Sequence, residues 1–208
     1  MARIPAVNPS QAGLKTKLVL RFGPRMMEKL TGTRPDNGME PIAIYAHAPK
    51  LLGGLLKLEQ ANAKVDRVDN DLKILAQLRA STLIGCEYCI DLGSQIARRS
   101  GLSDEKLLAL HRYRDSGMFT DLEMLVLDYA TAVTRTPVDV PDALFDKLRE
   151  HFDNPQLVEL TGVIALENMR SRINGGLGIG ASGFSEGMVC AVPEAKGSPA
   201  VLSAAPRG

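Results

Sequence analysis

Apolar side chains recur every three or four positions along most of the chain, which is the period of a helix packed on one face. Two such segments begin at residues that can cap a helix: Asp69 or Asn70 for the first, and Thr120 for the second, where Glu123 completes a capping box. Gly85 follows the first of these segments and is a natural end for its helix. No segment alternates with a period of two for long enough to predict a strand. The pattern therefore predicts an all-α protein.

Proline and glycine residues predict where the helices of the N-terminal part are interrupted. We expect Gly23-Pro24 to break or kink the helical pattern of residues 14–30, because proline lacks a backbone N–H and clashes with the preceding turn. The pattern of residues 42–59 contains Pro49 and Gly53-Gly54, which predicts two short helices rather than one.

The C-terminal part contains one long helix followed by an irregular end. The segment from Pro155 to about Asn174 is apolar over most of its length, and we expect Gly175-Gly176 to end its helix. The final residues are rich in Pro, Ala, Ser and Gly, which indicates a mobile or surface-wrapping tail. The chain is therefore divided into an N-terminal helical extension with a loop (1–40), a helical domain (41–190) and this tail (191–208).

The composition fits a globular protein and argues against nucleic acids and membranes as partners. The 208 residues are 45% hydrophobic and 24% charged, which is enough apolar material for a normal core. The net charge of +1 and the absence of Trp argue against a nucleic-acid partner or an anionic membrane surface. No apolar run approaches the roughly 18 residues that span a membrane, and Leu18-Val19-Leu20 is too short for the core of a signal peptide. We therefore expect a cytoplasmic protein.

The clearest chemical feature is the pair Cys86 and Cys89, which stands at a predicted helix start directly after Gly85. Two residues three apart on a helix have Cβ atoms roughly 5–6 Å apart, whereas a disulfide needs about 3.8 Å. The first helical turn can adjust to this requirement, so a reversible disulfide is plausible there. The partial positive charge of a helix N-terminus favours the thiolate, while the nearby Glu87 and Asp91 oppose it.

Other interpretations of the cysteine pair fit the sequence less well. A structural zinc site needs four ligands, and only Cys190 and three isolated histidines remain, so we expect no bound metal. A c-type haem site needs a histidine where Ile90 stands, and a thioredoxin fold needs strands around the motif. Two buried cysteines that act only as small hydrophobic residues remain an alternative. Dithiol redox chemistry is the favoured hypothesis.

Residues 78–110 resemble the core of the alkylhydroperoxidase D-like, carboxymuconolactone decarboxylase family. The Gly-Cys-x-Tyr-Cys motif is followed by a helix of small residues that ends in Ala-Arg-x-x-Gly-Leu at residues 97–102. Residues 166–180 look like the closing helix of the family, and His47-Ala48-Pro49 resembles its early His-x-Pro segment. The resemblance extends over residues 40–190. Further matching positions are Arg79, Ser81, Asn168 and Arg172.

The resemblance implies an all-α, homo-oligomeric oxidoreductase, assembled as a trimer, hexamer or dimer. In the redox branch of the family the second cysteine attacks a hydroperoxide and the first closes the disulfide. Carried over, Cys89 is the attacking thiol and Cys86 the resolving one. Such a peroxidase needs no organic cofactor, and an external dithiol reduces its disulfide.

The proton relay of the redox branch has no counterpart at the matching positions of this chain. The family places a histidine one turn after the second cysteine and a glutamate in the preceding helix, where this chain has Gly93 and Ile74. Possible supporting residues are His47, Tyr88, Asp91, Glu167 and Arg172. For Glu167 we expect an ion pair with Arg170 or Arg172, with a role as general base as the alternative. For His47 a structural hydrogen bond is the simpler expectation.

Two other functions remain open on the sequence. The decarboxylase branch suggests a cofactor-free lyase or isomerase, in which Arg172 would hold the carboxylate of a ring substrate by a bidentate contact. A redox sensor or scaffold would keep the disulfide without catalysis. Cys190 lies in the irregular C-terminal region, either as a free thiol or as a third redox partner.

Overall fold

The computed structural model describes residues 2–8, 10 and 12–194, and this part of the chain contains helices and no strand. The prediction of an all-α protein is confirmed. A short 3-10 turn spans Leu110–Arg112. The α-helices are α1 (Leu14–Thr31), α2 (Glu40–Tyr45), α3 (Pro49–Asn62), α4 (Asn70–Ile84), α5 (Glu87–Ser100), α6 (Asp104–Ala109), α7 (Asp121–Thr134), α8 (Asp142–Arg149) and α9 (Asn154–Leu177).

Helix α4 lies at the centre of the fold and packs against α5, α7 and α9. Its ends are fixed locally, because Asp69 accepts from the Asp71 N–H at 2.8 Å and Gly85 adopts a left-handed φ of 76°. Most residues between these caps are buried, whichever side of the helix they lie on, and they include the polar Arg79 and Ser81. A helix that is enclosed in this way is the natural support for groups that line an interior site.

Three clusters of buried apolar side chains fill the spaces between the helices. One lies between α4, α5 and α6 around Leu75 and Leu107, and a second lies between α4, α7 and α9 around Ala76 and Leu160. The third surrounds the cysteine pair and consists of Ile44, Cys86, Tyr88, Cys89, Ile179 and Phe184. The cysteines are therefore part of the packed interior.

The break predicted as one alternative at Gly23-Pro24 and the helix end predicted at Gly175-Gly176 are not found. Helix α1 continues through Pro24, because the preceding residue, Gly23, has no Cβ to clash with the proline ring. Helix α9 continues past Gly175-Gly176 and ends at Leu177, where the C-cap Gly178 has a left-handed φ of 68°. The N–H of the buried Ile179 then reaches back to the Asn174 carbonyl at 2.9 Å, so the helix ends where an apolar side chain can close the turn. The prediction of two helices around Pro49 is confirmed by α2 and α3.

The first residues of the predicted tail pack on the domain, while residues 195–208 lie outside the described part. Ala191 is buried, and its N–H donates to Ser94 Oγ at 3.0 Å. Glu194 forms an ion pair with Arg79 at 2.6 Å, and its N–H donates to the Thr82 carbonyl at 3.1 Å. Among the helices described, none is both long and apolar enough to cross a membrane.

Candidate redox site

Cys86 and Cys89 are joined in a disulfide across the first turn of α5, with their Cα atoms 5.3 Å apart. Cys86 is the N-cap of this helix and has an extended backbone, with φ −79° and ψ 98°. Because its backbone has not yet entered the helix, its side chain can turn toward the residue three positions later. The local structure therefore allows the bridge that a helix interior resists.

Both cysteines are buried, and Cys89 is the slightly more exposed residue. Cys86 is 2% exposed and Cys89 is 8% exposed. The backbone N–H of Cys89 donates to Cys86 Sγ at 3.2 Å. An N–H donor at the start of a helix stabilises negative charge, so Cys86 is well placed to carry a thiolate when the disulfide opens.

A polar face of α9 lies against the disulfide, and of its three residues only Glu167 was predicted from the sequence. Glu167, Ser171 and Asn174 are spaced by four and three positions, which places them on one side of the helix. Ser171 Oγ lies 3.4 Å from Cys89 Sγ. Asn174 Nδ2 lies 3.5 Å from Cys89 Sγ and 3.7 Å from Cys86 Sγ. In the sequence, this face could have been recognised from the spacing of its polar residues within an otherwise apolar helix.

Tyr45 fixes the orientation of the Asn174 amide. Its hydroxyl is 2.5 Å from Asn174 Oδ1. Burial raises the pKa of Tyr45 to about 12, an effect that Arg170 opposes and Glu167 reinforces, so the hydroxyl keeps its proton and donates it. The amide oxygen must then face Tyr45, and the amide nitrogen faces the two sulfur atoms. The site therefore presents N–H donors to whichever sulfur carries negative charge.

Glu167 is buried beneath the disulfide and connects to Cys89 through one hydroxyl group. Its Oε1 accepts from Ser171 Oγ at 3.0 Å and from Ser81 Oγ at 2.7 Å. Its Oε2 pairs with Arg170 at 3.0 Å, and Arg170 also pairs with Glu59. The expected ion pair of Glu167 is thus formed with Arg170. The carboxylates of Glu59 and Glu167 share the single positive charge of Arg170. The three side chains together therefore carry a net negative charge.

Tyr88 and Asp91 stand close to the cysteines in sequence, but both hold loops in place. The Tyr88 hydroxyl donates to the Gly38 carbonyl at 2.8 Å, and burial raises the pKa of this phenol well above its usual range. The Asp91 carboxylate accepts four backbone N–H groups, from residues 182–185, at 2.7–3.1 Å. Their polar atoms are therefore engaged with backbone rather than with a sulfur atom.

His47 and Arg172 are both engaged away from the disulfide. His47 is exposed, and its Nε2 lies 2.9 Å from the Pro5 carbonyl oxygen, as expected for a structural hydrogen bond. The Arg172 guanidinium donates to Asn168, to the Thr134 carbonyl and to Thr136 Oγ1, the last two at 3.2 Å. Its donors therefore bind the end of α7, and the structure does not bring it to the cysteines.

The positions of the absent relay are occupied by apolar packing. Ile74 and Leu78 belong to the buried cluster between α4 and α5. A Cβ atom at Gly93 would stand 2.9 Å from Leu78 Cδ2. The space that a side chain at position 93 would need is therefore already filled by leucine.

Cys190 is a free, half-buried thiol that packs beside Ala191. It lines a cavity of about 570 Å³ together with Glu87, Asp91 and Glu186.

Among the described residues, no group of three or more His, Cys, Asp and Glu side chains is arranged to hold a metal ion.

Sequence comparisons connect the chain to one family. The sequence profile of the carboxymuconolactone decarboxylase family matches residues 49–132, which include the cysteine pair. The uncharacterized protein YnjA of Escherichia coli is 40% identical over 138 residues, which cover 66% of this chain and 71% of YnjA.

Solved structures with the same fold include two of interest. A protein of unknown function from Agrobacterium tumefaciens, with a suggested role as the antioxidant defence protein AhpD, is 29% identical with a TM-score of 0.62; the match covers 66% of this chain and 94% of that one. The debrominase Bmp8 is 22% identical with a TM-score of 0.71, covering 87% and 92% of the two chains. At that identity the second likeness concerns the fold alone.

Proposed function

The chain belongs to the carboxymuconolactone decarboxylase family, and on that premise we propose that it is a thiol-dependent oxidoreductase of the alkyl hydroperoxide reductase type. The observation that carries the proposal is the Cys86–Cys89 disulfide at the first turn of α5. This position combines a bond that the local backbone can open and close with N–H donors that stabilise a thiolate. Such a pair is suited to two-electron redox chemistry.

In the proposed cycle the Cys89 thiolate attacks the outer oxygen of a hydroperoxide. The O–O bond breaks, the Cys89 sulfur becomes a sulfenic acid, and the departing alkoxide takes a proton to form an alcohol. The Cys86 thiol then attacks the Cys89 sulfur, the S–O bond breaks, and water leaves as the disulfide forms. Two thiols are oxidised and one hydroperoxide is reduced. An external dithiol returns the pair to the reduced state by thiol–disulfide exchange.

The environment of each sulfur supports this division of roles. Cys89 is the more exposed of the two and contacts the Ser171 hydroxyl, as suits the thiol that meets the substrate. Cys86 receives the Cys89 N–H at the start of α5, so its thiolate is stabilised when a reductant attacks the disulfide.

The competing functions receive less support from the contacts. A lyase that acts on a carboxylated ring would use Arg172, but this guanidinium already binds Asn168, Thr134 and Thr136. The suggested antioxidant role of the Agrobacterium protein agrees with the peroxidase proposal. A redox sensor differs from a peroxidase only in lacking turnover, and the experiment below distinguishes the two.

We further propose that the protein works as a homo-oligomer in the cytoplasm. Helix α1 carries a stripe of exposed apolar side chains four residues apart, which a second copy could cover. The stripe consists of Leu14, Leu18, Phe22, Met26 and Leu30. Light scattering of the purified protein tests the assembly, and a monomer at micromolar concentration would contradict this part of the proposal.

The test of the activity is hydroperoxide consumption by the protein with an excess of a small dithiol. We expect Cys89→Ser to abolish turnover. Without the dithiol, reduced Cys86→Ser should consume one equivalent of hydroperoxide and stop at the Cys89 sulfenic acid, since no resolving thiol remains. Cys190→Ser is the matched control, because it removes a cysteine that does not take part in the disulfide. Turnover that survives Cys89→Ser, or a wild type that closes its disulfide without turnover, would overturn the peroxidase assignment.

A further inference from the structure

We propose that Glu167, acting through the Ser171 hydroxyl, accepts the proton of Cys89 when the reduced protein is activated. The inference rests on the proposed function only in taking Cys89 as the attacking thiol. It assigns a positioning and proton-accepting role to two residues of α9, in a chain whose positions 74 and 93 carry no titratable group. A buried thiol needs such a group, because loss of its proton directly to water is hindered.

The hydrogen-bond geometry gives the proton a direction. A serine hydroxyl has one hydrogen, and Ser171 Oγ lies 3.0 Å from Glu167 Oε1 and 3.4 Å from Cys89 Sγ. An ionised carboxylate only accepts, so the Ser171 hydrogen points to Glu167. The free lone pair of Ser171 Oγ then faces the sulfur, ready to accept from the thiol of the reduced protein.

The other polar neighbours of Cys89 do not offer this route. Asn174 presents its amide nitrogen, which donates and cannot act as a base at neutral pH. Asp91 is bound by four backbone N–H groups, and His47 is exposed and bonded to Pro5. The chain of contacts from the sulfur through Ser171 leads to the carboxylate of Glu167.

The charges around Glu167 keep it available as an acceptor although it is buried. Its ion-pair partner Arg170 also makes two hydrogen bonds to Glu59, so the positive charge is shared between two carboxylates. When Glu167 takes a proton, Arg170 remains paired with Glu59 and is not left as an isolated buried charge. The cluster can therefore accept one proton without breaking up.

The proton and electron movements of the step balance. The S–H bond of Cys89 breaks, its proton moves to Ser171 Oγ, and the hydrogen of Ser171 moves to Glu167 Oε1. The thiolate electron pair forms the bond to an electrophile, which in the proposed reaction is the outer oxygen of a hydroperoxide. The proton on Glu167 then returns along the same route to the alkoxide that leaves.

The test uses iodoacetamide on the fully reduced full-length protein, because alkylation reports thiolate formation whether or not the protein reduces peroxides. Peptide mass spectrometry measures the alkylation rates of Cys86, Cys89 and Cys190 in the same sample between pH 5.5 and 9. The variants are Glu167→Gln and Ser171→Ala. The matched controls are Glu59→Gln, which removes a second carboxylate from Arg170, and Ser171→Thr, which retains the hydroxyl.

At pH 6 we expect Glu167→Gln and Ser171→Ala each to slow alkylation of Cys89 by about 100-fold, the usual size of general-base assistance. The rate of Cys89 in these variants should fall about tenfold per pH unit toward acid, while the wild-type rate changes less. Cys190 should react at the wild-type rate in every variant. Ser171→Thr should recover most of the Cys89 rate, and Glu59→Gln should lower it by less than Glu167→Gln does, because Arg170 then binds Glu167 alone while the accepting carboxylate is still present.

Several results would overturn the inference. If Glu167 is only a neighbouring negative charge, its neutralisation makes the thiolate easier to form and Cys89 reacts faster. An unchanged rate in Ser171→Ala would show that the hydroxyl is not on the route. Equal losses in Glu59→Gln, or at all three cysteines, would mean that the variants act through the fold. A wild type that shows the pH profile but reduces no hydroperoxide would refute the proposed function and leave this inference standing.

Discussion

Replacement of Asp91 by asparagine should destabilise the protein strongly, although the two side chains have nearly the same shape. One oxygen of Asp91 accepts the N–H groups of Ser182, Gly183 and Phe184, and the other accepts that of Ser185. The side chain is only 5% exposed, so water cannot easily replace a lost acceptor. An asparagine keeps one acceptor oxygen and places an NH₂ group opposite a backbone donor.

The magnitude follows from counting the donors left without an acceptor. If the amide oxygen stays with the three N–H groups, the Ser185 N–H and the new NH₂ group are both buried without partners. Each such group costs about 1–3 kcal/mol, so Asp91→Asn should lose about 2–6 kcal/mol. At about 2–4 °C per kcal/mol for a chain of this length, the melting temperature should fall by at least about 4 °C.

Urea and thermal unfolding followed by circular dichroism measure this loss. The matched control is Asp104→Asn, because the Asp104 side chain is half exposed and its ion pair with Arg98 lies at the surface. That change should cost less than about 1 kcal/mol. If Asp91→Asn were no less stable than Asp104→Asn, the four N–H bonds would not anchor the loop as described.

Two further changes test the packing and the buried charges of α4. Gly93→His should lose about 1–3 kcal/mol by overpacking, since a Cβ there would stand 2.9 Å from Leu78 Cδ2. Combined with Leu78→Ala the losses should be less than additive in urea unfolding, and strict additivity would refute the contact. Burial opposes ionisation of Glu159, but the N–H groups of residues 67 and 68 and the Lys73 ammonium outweigh it and hold the pKa of Glu159 below its usual value. Its stabilisation is therefore complete above about pH 4.3 and is lost as the pH falls through the folded-state pKa, so the difference in unfolding free energy between wild type and Glu159→Gln should shrink below pH 4.3. A pH-independent difference would contradict this reasoning.

Features encoded by neighbouring residues could be predicted from the sequence. The caps at Asp69 and Thr120 and the left-handed Gly85 are decided within one helical turn, and the structure has them as expected. The start of α5 at the cysteine pair follows from the same local signals. The part of the candidate site that contains the cysteine pair could therefore be predicted from one short segment of the chain.

The other part of the site depends on packing between distant segments. Ser171 and Asn174 are more than 80 residues from the cysteines, and a polar face on α9 is equally compatible with exposure to solvent. The end of α9 was misplaced because it depends on the packing of the buried Ile179, whereas the continuation of α1 through Pro24 follows locally from Gly23. Asp91 illustrates the same limit, since its four partners lie in a loop about 90 residues away.

The most direct test of the central claim is intact mass with thiol counting on the fully reduced protein, before and after one addition of an alkyl hydroperoxide. The reduced chain has three thiols, those of Cys86, Cys89 and Cys190. We predict rapid loss of two thiols together with the mass of two hydrogen atoms, formation of one equivalent of alcohol, and full reversal by a dithiol. Three unchanged thiols, or oxidation confined to Cys190, would contradict a working Cys86–Cys89 redox couple.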